Sequence, residues 1–312
     1  MNWTKAIQAL SLIALSSSAA SAMANSWQIT TLTVSGSTFN QAFGVNDSNT
    51  VVGATDAGGF VYASGSFTIL TGPEGSLGSA ALGISNGGTV VGSFYNTRLT
   101  DPDGNVIPGP QLGYVYQGGT YTSLTAPGAY DTFLRAISTD GRYISGYADD
   151  ADGLNFWCFV YDRNSSSFTT IASGPLLSIA HGVNNQGVVV GSTGGFGFIY
   201  DSATGTRSDS QIGSANSRYR GINDAGQIAG FFISGGITHG FIGSPSAYDV
   251  FDVPGAFGTS LESINNVGAI AGIVNDEFGN ASAFLATPVP EPSIAALLLA
   301  GLAGLAWRRR ST

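Results

Sequence analysis

The sequence predicts an all-β fold, a six-bladed β-propeller of four-stranded blades closed by its N-terminal strand, and three observations predict it. One segment recurs six times, each recurrence sits in the same series of strand-like pieces, and the piece missing from the last copy stands at the start of the chain. The clearest copy is Gly221-Ile222-Asn223-Asp224-Ala225-Gly226-Gln227-Ile228-Ala229-Gly230. Others begin at Gly44-Val45-Asn46, Gly83-Ile84-Ser85, Ala136-Ile137-Ser138, Gly182-Val183-Asn184 and Ser263-Ile264-Asn265. Their closing glycines stand at 53, 92, 146, 191, 230 and 272, giving intervals of 39, 54, 45, 39 and 42 residues. Such a period belongs to arrays and propellers.

The third repeat shows the pieces best. Phe133 to Ser138 is one strand, Thr139-Asp140-Gly141 a turn, and Arg142 to Tyr147 a second strand; after a polar tip come Phe156 to Tyr161 and Ser167 to Ile171. Asn, Asp and Gly fill the turns because hairpin positions with positive φ suit them. The closing glycine reads as a close backbone approach rather than a ligand cradle. The sixth repeat stops after Ser282-Ala283-Phe284-Leu285-Ala286, without a fourth strand. Trp27-Gln28-Ile29-Thr30-Thr31-Leu32-Thr33-Val34 has that strand's pattern and precedes the first repeat, so it completes blade six and removes the sheet edges an open array would leave.

The flanks are of other kinds. Residues 1–24 carry Lys5, an apolar stretch from Ala6 to Leu15 and the ending Ala22-Met23-Ala24, the pattern of a secretory signal peptide cleaved after Ala24. The propeller takes residues 25–287. From residue 288 to 312 a stiff Pro-rich linker precedes a continuously apolar run, 294–307, and then Arg308-Arg309-Arg310. As a helix that run spans about 21 Å, which with its flanks is workable as a transmembrane segment with the arginines on the cytoplasmic side.

Two resemblances follow. Val289-Pro290-Glu291-Pro292, the apolar run and Arg308, Arg309 and Arg310 together resemble the PEP-CTERM sorting signal of Gram-negative bacteria. That resemblance implies export, transient anchoring in the inner membrane, removal of the tail by an exosortase, and an association with exopolysaccharide and biofilm at the cell surface or in the matrix. The body resembles the HAF-type extracellular repeats, through His239-Gly240-Phe241, Ser282-Ala283-Phe284 and, in reduced form, Gly59-Phe60, Gly113-Tyr114, Cys158-Phe159 and Gly197-Phe198. It implies architecture and location, not chemistry.

Charge excludes one class of partner. Residues 25–287 hold 19 acidic residues against seven arginines, a net charge of −12, with the arginines scattered singly along the sequence. Nucleic acid is therefore excluded, since affinity for it rests on clustered Lys and Arg. The lone Cys158 lies in an apolar run and reads as a buried, inert thiol. His181 and His239 stand far apart with no Gly-x-Ser-x-Gly elbow, so no hydrolytic triad is assigned and no catalytic residue is named.

Carboxylates remain. In a four-stranded antiparallel blade the second-to-third loops and the inter-blade connections open on one face, so the two longest insertions, 95–111 and 148–155, are neighbours there. They bring Asp101, Asp103, Asp149, Asp150 and Asp152 towards Tyr130 and Asp131, an acidic, partly aromatic candidate ligand site. The loops echo oxygen-rich calcium loops without completing an EF-hand spacing, so no metal set is assigned and calcium is the one cofactor the pattern admits. The leading expectation is a non-catalytic surface or matrix protein contacting exopolysaccharide. The alternatives are a carbohydrate hydrolase or lyase using the Asp cluster, and a protein-binding scaffold.

Overall fold

Short runs of apolar and β-branched residues, each ended by Gly, Asn or Asp, fold as antiparallel strands, and no helix occurs among the described residues of the computed structural model. These are residues 27–289 apart from 102, 214 and 215. The cleavage site at Ala24, the transmembrane run 294–307, Pro290, Glu291, Pro292 and the three terminal arginines lie outside them. Residues Ile29–Thr287 form one compact unit, the propeller.

β1 (Trp27–Leu32) opens the chain. Blade one is β2 (Asn40–Val45), β3 (Val51–Thr55), β4 (Gly58–Ala63) and β5 (Ser66–Leu70). Blade two starts with β6 (Gly78–Ile84) and β7 (Val90–Tyr95); a small hairpin, β8 (Arg98–Thr100) and β9 (Val106–Pro108), intervenes before β10 (Leu112–Gln117) and β11 (Thr120–Ser123). Blade three is β12 (Asp131–Ile137), β13 (Tyr143–Asp149), β14 (Phe156–Asp162) and β15 (Ser167–Gly174); blade four is β16 (Ser178–Val183), β17 (Val188–Thr193), β18 (Phe196–Asp201) and β19 (Thr206–Ser210). Blade five is β20 (Ser217–Ile222), β21 (Ile228–Ser234), β22 (Ile237–Ser244) and β23 (Ala247–Phe251). Blade six is β24 (Gly258–Ile264), β25 (Ile270–Asn275) and β26 (Ala281–Pro288), and its outer strand is β1, as the sequence predicts.

The first strand of each blade touches the first strands of both neighbours, all the way round. The core lies between blades rather than within them: Val52 and Leu70 of blade one pack with Ala81, Ile84, Val90 and Tyr114 of blade two, and Leu32, Val45 and Phe60 pack with Ala271, Ala283 and Leu285 across the closure. Second strands are accordingly buried on both faces, as in β3, while outer strands such as β5 alternate.

The repeat's glycines and aromatics are one device. Each closing glycine is in register with a third-strand aromatic: Gly53 with Phe60, Gly92 with Tyr114, Gly146 with Phe159, Gly191 with Phe198, Gly230 with Phe241 and Gly272 with Phe284. All six rings are at most 1% exposed. A Cβ on Gly230 would lie 2.1 Å from the Arg218 carbonyl oxygen and 2.9 Å from the Phe241 ring, so only glycine leaves the ring its place. Cys158 stands beside one of these aromatics, fully buried, and burial pushes its thiol up to about 11.

Candidate functional site

The two ends of the ring axis differ. At the end formed by the first-to-second-strand turns, each motif Asn does two jobs. Asn265 Oδ1 accepts from the Val267 and Ala269 amides (3.1 and 2.7 Å), folding its own turn, while Nδ2 donates to the Asn46 carbonyl of the next blade at 2.7 Å. Asn46, Asn184 and Asn223 do the same. The following residues close the axis itself. Asn266 Nδ2 reaches Asp224 Oδ2 at 2.8 Å, Asp47 Oδ2 at 3.1 Å and, from the opposite blade, Thr139 Oγ1 at 3.2 Å. Asn185 Nδ2 donates to Asp224 Oδ2 at 2.6 Å and Asn86 Nδ2 to Asp47 Oδ2 at 2.7 Å. A cavity of about 40 Å³ lies along the axis above this plug.

The other end carries the insertions, and there the first strands place a second ring. Each has a β-bulge at one repeat position, immediately before the motif's Gly, Ala or Ser. The bulged residues are Phe43, Leu82, Arg135, His181, Arg220 and Glu262. A bulge turns its extra residue out of the ladder, and here all but Arg135 line the axial cavity. Arg135 and Phe43 also line a larger groove, about 660 Å³, across blades one to three. Arg220 Nη1 donates to His181 Nδ1 at 3.0 Å, and His181 Nε2 lies 3.2 Å from Ser192 Oγ; because a guanidinium only donates, the imidazole carries its proton on Nε2. Burial, then the charges of Arg220, Arg135 and Arg218, hold His181 well below its ordinary range, so it is neutral. Arg220 Nε approaches Glu262 Oε2 at 3.5 Å, an ion pair but not a hydrogen bond, while Ser260 Oγ donates to Glu262 Oε1 at 2.5 Å. The guanidinium of Arg135 has no hydrogen-bond or carboxylate partner among the described residues, and its Nε is shut away from solvent.

The groove is rich in rings. Phe39, Phe43, Tyr95, Phe133 and Tyr147 line it with Gln41, Gln111 and Asp56, and the Phe133 and Tyr147 rings stack at 4.5 Å and 6°. Arg135 lies 5.5 Å from the Phe43 ring centroid, in cation–π range.

The sequence-predicted acidic residues separate into turn residues and a pair. Asp101 Oδ1 accepts from the Asp103 and Asn105 amides (3.0 and 2.7 Å) and Oδ2 from Asn105 Nδ2 at 3.0 Å, holding its carboxyl below the usual range. Asp150 makes the same turn with Leu154 and Asn155, and Asp276 repeats it with Phe278 and Asn280. Asp103 and Asp152 are exposed on these tips, and Tyr130 is exposed in its connection with its amide donating to the Asp149 carbonyl at 2.9 Å. Asp131 and Asp149 do meet, as cross-strand partners on β12 and β13. Burial, then the charge of the neighbouring Asp131, raises Asp149 to about 6, and Asp149 Oδ1 is shut away from solvent with no hydrogen-bond partner among the described residues. Asp131 Oδ1 also accepts the Gln111 amide at 2.6 Å, which ties the blade-two insertion to blade three. Among the described residues no group of three or more His, Cys, Asp or Glu is arranged to hold a metal ion.

Sequence reasoning missed the bulge ring. The arginines are scattered along the sequence, yet aligning the repeats on Asn places Arg135, His181, Arg220 and Glu262 in a single column, and that column was the available signal.

Residues 288–310 match the PEP-CTERM protein-sorting motif. The chain carries a PEP-CTERM sorting signal. It marks an exported protein with a C-terminal membrane anchor before exosortase processing, and Val289, exposed just past β26, lies within it. No curated protein matches this PEP-CTERM protein. Solved structures similar to it include the dipeptidyl peptidase 4 of Porphyromonas gingivalis, at 10% identity and a TM-score of 0.41, covering 73% of this chain and 42% of that one. TolB from Acinetobacter baumannii has 12% identity and a TM-score of 0.43, covering 80% and 63%. The β-propeller domain of the Trilobed protease from Pyrococcus furiosus has 10% identity and a TM-score of 0.41, covering 69% and 83%. The chain thus spans less than half the length of the first of these.

Proposed function

We propose that this exported propeller is a non-catalytic surface or matrix component that binds exopolysaccharide through its insertion-bearing end. The groove across blades one to three carries the reading. Sugar rings present C–H faces to aromatic side chains and hydroxyls to amides, and this groove sets the stacked Phe133 and Tyr147 among Gln41 and Gln111. The acidic tips border this end rather than forming the contact, because Asp101 and Asp150 spend their oxygens on their own turns. The reading assigns no cofactor.

The Asp131 and Asp149 pair favours a second reading, a carbohydrate hydrolase or lyase, since one of two coupled carboxyls keeps its proton to higher pH. Glycosidases, however, hold their carboxyls about 5 to 10 Å apart around the scissile bond. Asp131 and Asp149 are directly opposed cross-strand neighbours at the end of one strand pair, side by side rather than across a cleft, which supports binding over turnover.

The test is co-sedimentation of the full-length chain, purified in mild detergent, with exopolysaccharide extracted from the producing cells, following polysaccharide chain length in the same samples. Co-sedimentation at constant chain length is expected. Shortening would establish the second reading, and absence of both would end the proposal.

A further inference from the structure

We infer that the groove across blades one to three, where it meets the ring axis, takes the carboxylate of an acidic sugar, with Arg135 as its principal contact and Arg218 and Arg220 supplying the surrounding positive charge. This rests on the polysaccharide reading and names the kind of polysaccharide.

Charge balance is the first argument. The chain is acidic, with a formal net charge of −9, yet Arg135, Arg218 and Arg220 converge with Glu262 as the single carboxylate coupled to them. Glu262 is already engaged by Arg220 and Ser260, and His181 is neutral. A guanidinium withdrawn from water loses hydration that only an anion or several acceptors can replace. Burial, followed by the Arg220 charge, lowers Arg135, and no described residue accepts from it. Its Nε is therefore left without an acceptor as folded.

Geometry is the second. Arg135 sits where the aromatic groove meets the axis, so a sugar ring lying on the Phe133 and Tyr147 side brings a ring carboxylate within reach of it. The planar fork of arginine matches a carboxylate's two oxygens, which is the recognition lysine lacks. Residues at the same repeat position in blades one and two, Phe43 and Leu82, are apolar. The charge is thus confined to one side of the ring axis.

The probes are polygalacturonate, the same polymer fully methyl-esterified, and free galacturonate, applied to the full-length chain and to Arg135→Gln; co-sedimentation reads the polymers and the thermal midpoint reads all three. Polygalacturonate is expected to bind and raise the midpoint by mass action, the ester to bind more weakly, and Arg135→Gln to weaken polygalacturonate about 10- to 100-fold while leaving the ester unchanged. An unliganded midpoint for the variant at or above the parent's shows that it folds; should it not, Arg218→Gln serves in its place. Equal binding of acid and ester, insensitive to the substitution, would overturn the carboxylate site and leave the polysaccharide reading standing. If neither polymer binds but galacturonate raises the midpoint of the parent and not of the variant, the site stands and the polysaccharide reading falls. No response to any probe overturns both.

Discussion

Two ionisable residues at the insertion-bearing end, the half-buried Asp149 and the buried His181, make opposite demands on pH. Asp149 keeps its proton to about pH 6 in the fold, well above the range of an ordinary aspartate. A carboxyl raised in this way costs nothing below its unfolded pKa and costs progressively more as pH climbs towards its folded one. His181 is lowered, so the unfolded chain takes up a proton below pH 6.5 that the fold refuses, and stability falls as pH drops. Comparing Asp149→Asn with the parent cancels the histidine. The variant is expected to be more stable by about 1 kcal/mol at pH 8, after discounting for partial exposure, with the gap closing by about pH 4. Urea unfolding at both pH values measures this, and a gap of constant size would show that the Asp149 proton is not its cause.

The turn between the first two strands is the element on which the ring depends. Asn265 is fully buried and joins blade six to blade one through Asn46, at the seam where the chain closes. Replacing it by Ala removes four side-chain hydrogen bonds and orphans a buried carbonyl, an expected loss of about 2 to 4 kcal/mol. Ser85, at the same repeat position in blade two, bonds the Thr89 amide but has no amide group to pass to blade three, so Ser85→Ala is expected to cost about 1 kcal/mol. Chemical denaturation of the two variants decides; equal losses would mean that the blade-to-blade bond contributes little. The motif glycines follow the same logic. A Cβ on Gly221 would stand 2.8 Å from Ser263 Cα, so the inner strands approach backbone to backbone. The sequence showed these residues as a repeat and as turn formers. That Asn also stitches blades together was not legible, because a bond between residues 39 or 42 positions apart leaves no local pattern.

Across the molecule, closure is the testable claim. Deleting residues 27–34 would bare the edge of β26, and the variant is expected to lose cooperative unfolding and to aggregate, with a synthetic peptide of that sequence restoring both by adding the missing strand. Thermal unfolding with and without peptide measures it; a cooperative, soluble deletion variant would show that the ring does not need its clasp. Blade count, strand order and the closing strand were all readable, because each repeat copies the same pattern and the missing piece had to be somewhere. The functional end was readable as a face but not as a site. Asp101 and Asp150 advertised themselves by clustering in sequence, whereas Arg135, Arg218 and Arg220 are gathered only by the ring.

The plug of Asn266, Asp47, Asp224 and Thr139 also fixes how any long ligand must approach. With one end of the axis sealed by side-chain bonds that reach across it, a polymer cannot be threaded through the ring. It can be held only from outside, by an end, a projecting group or a length lying in the groove, so many such molecules can occupy one strand at once without any of them encircling it.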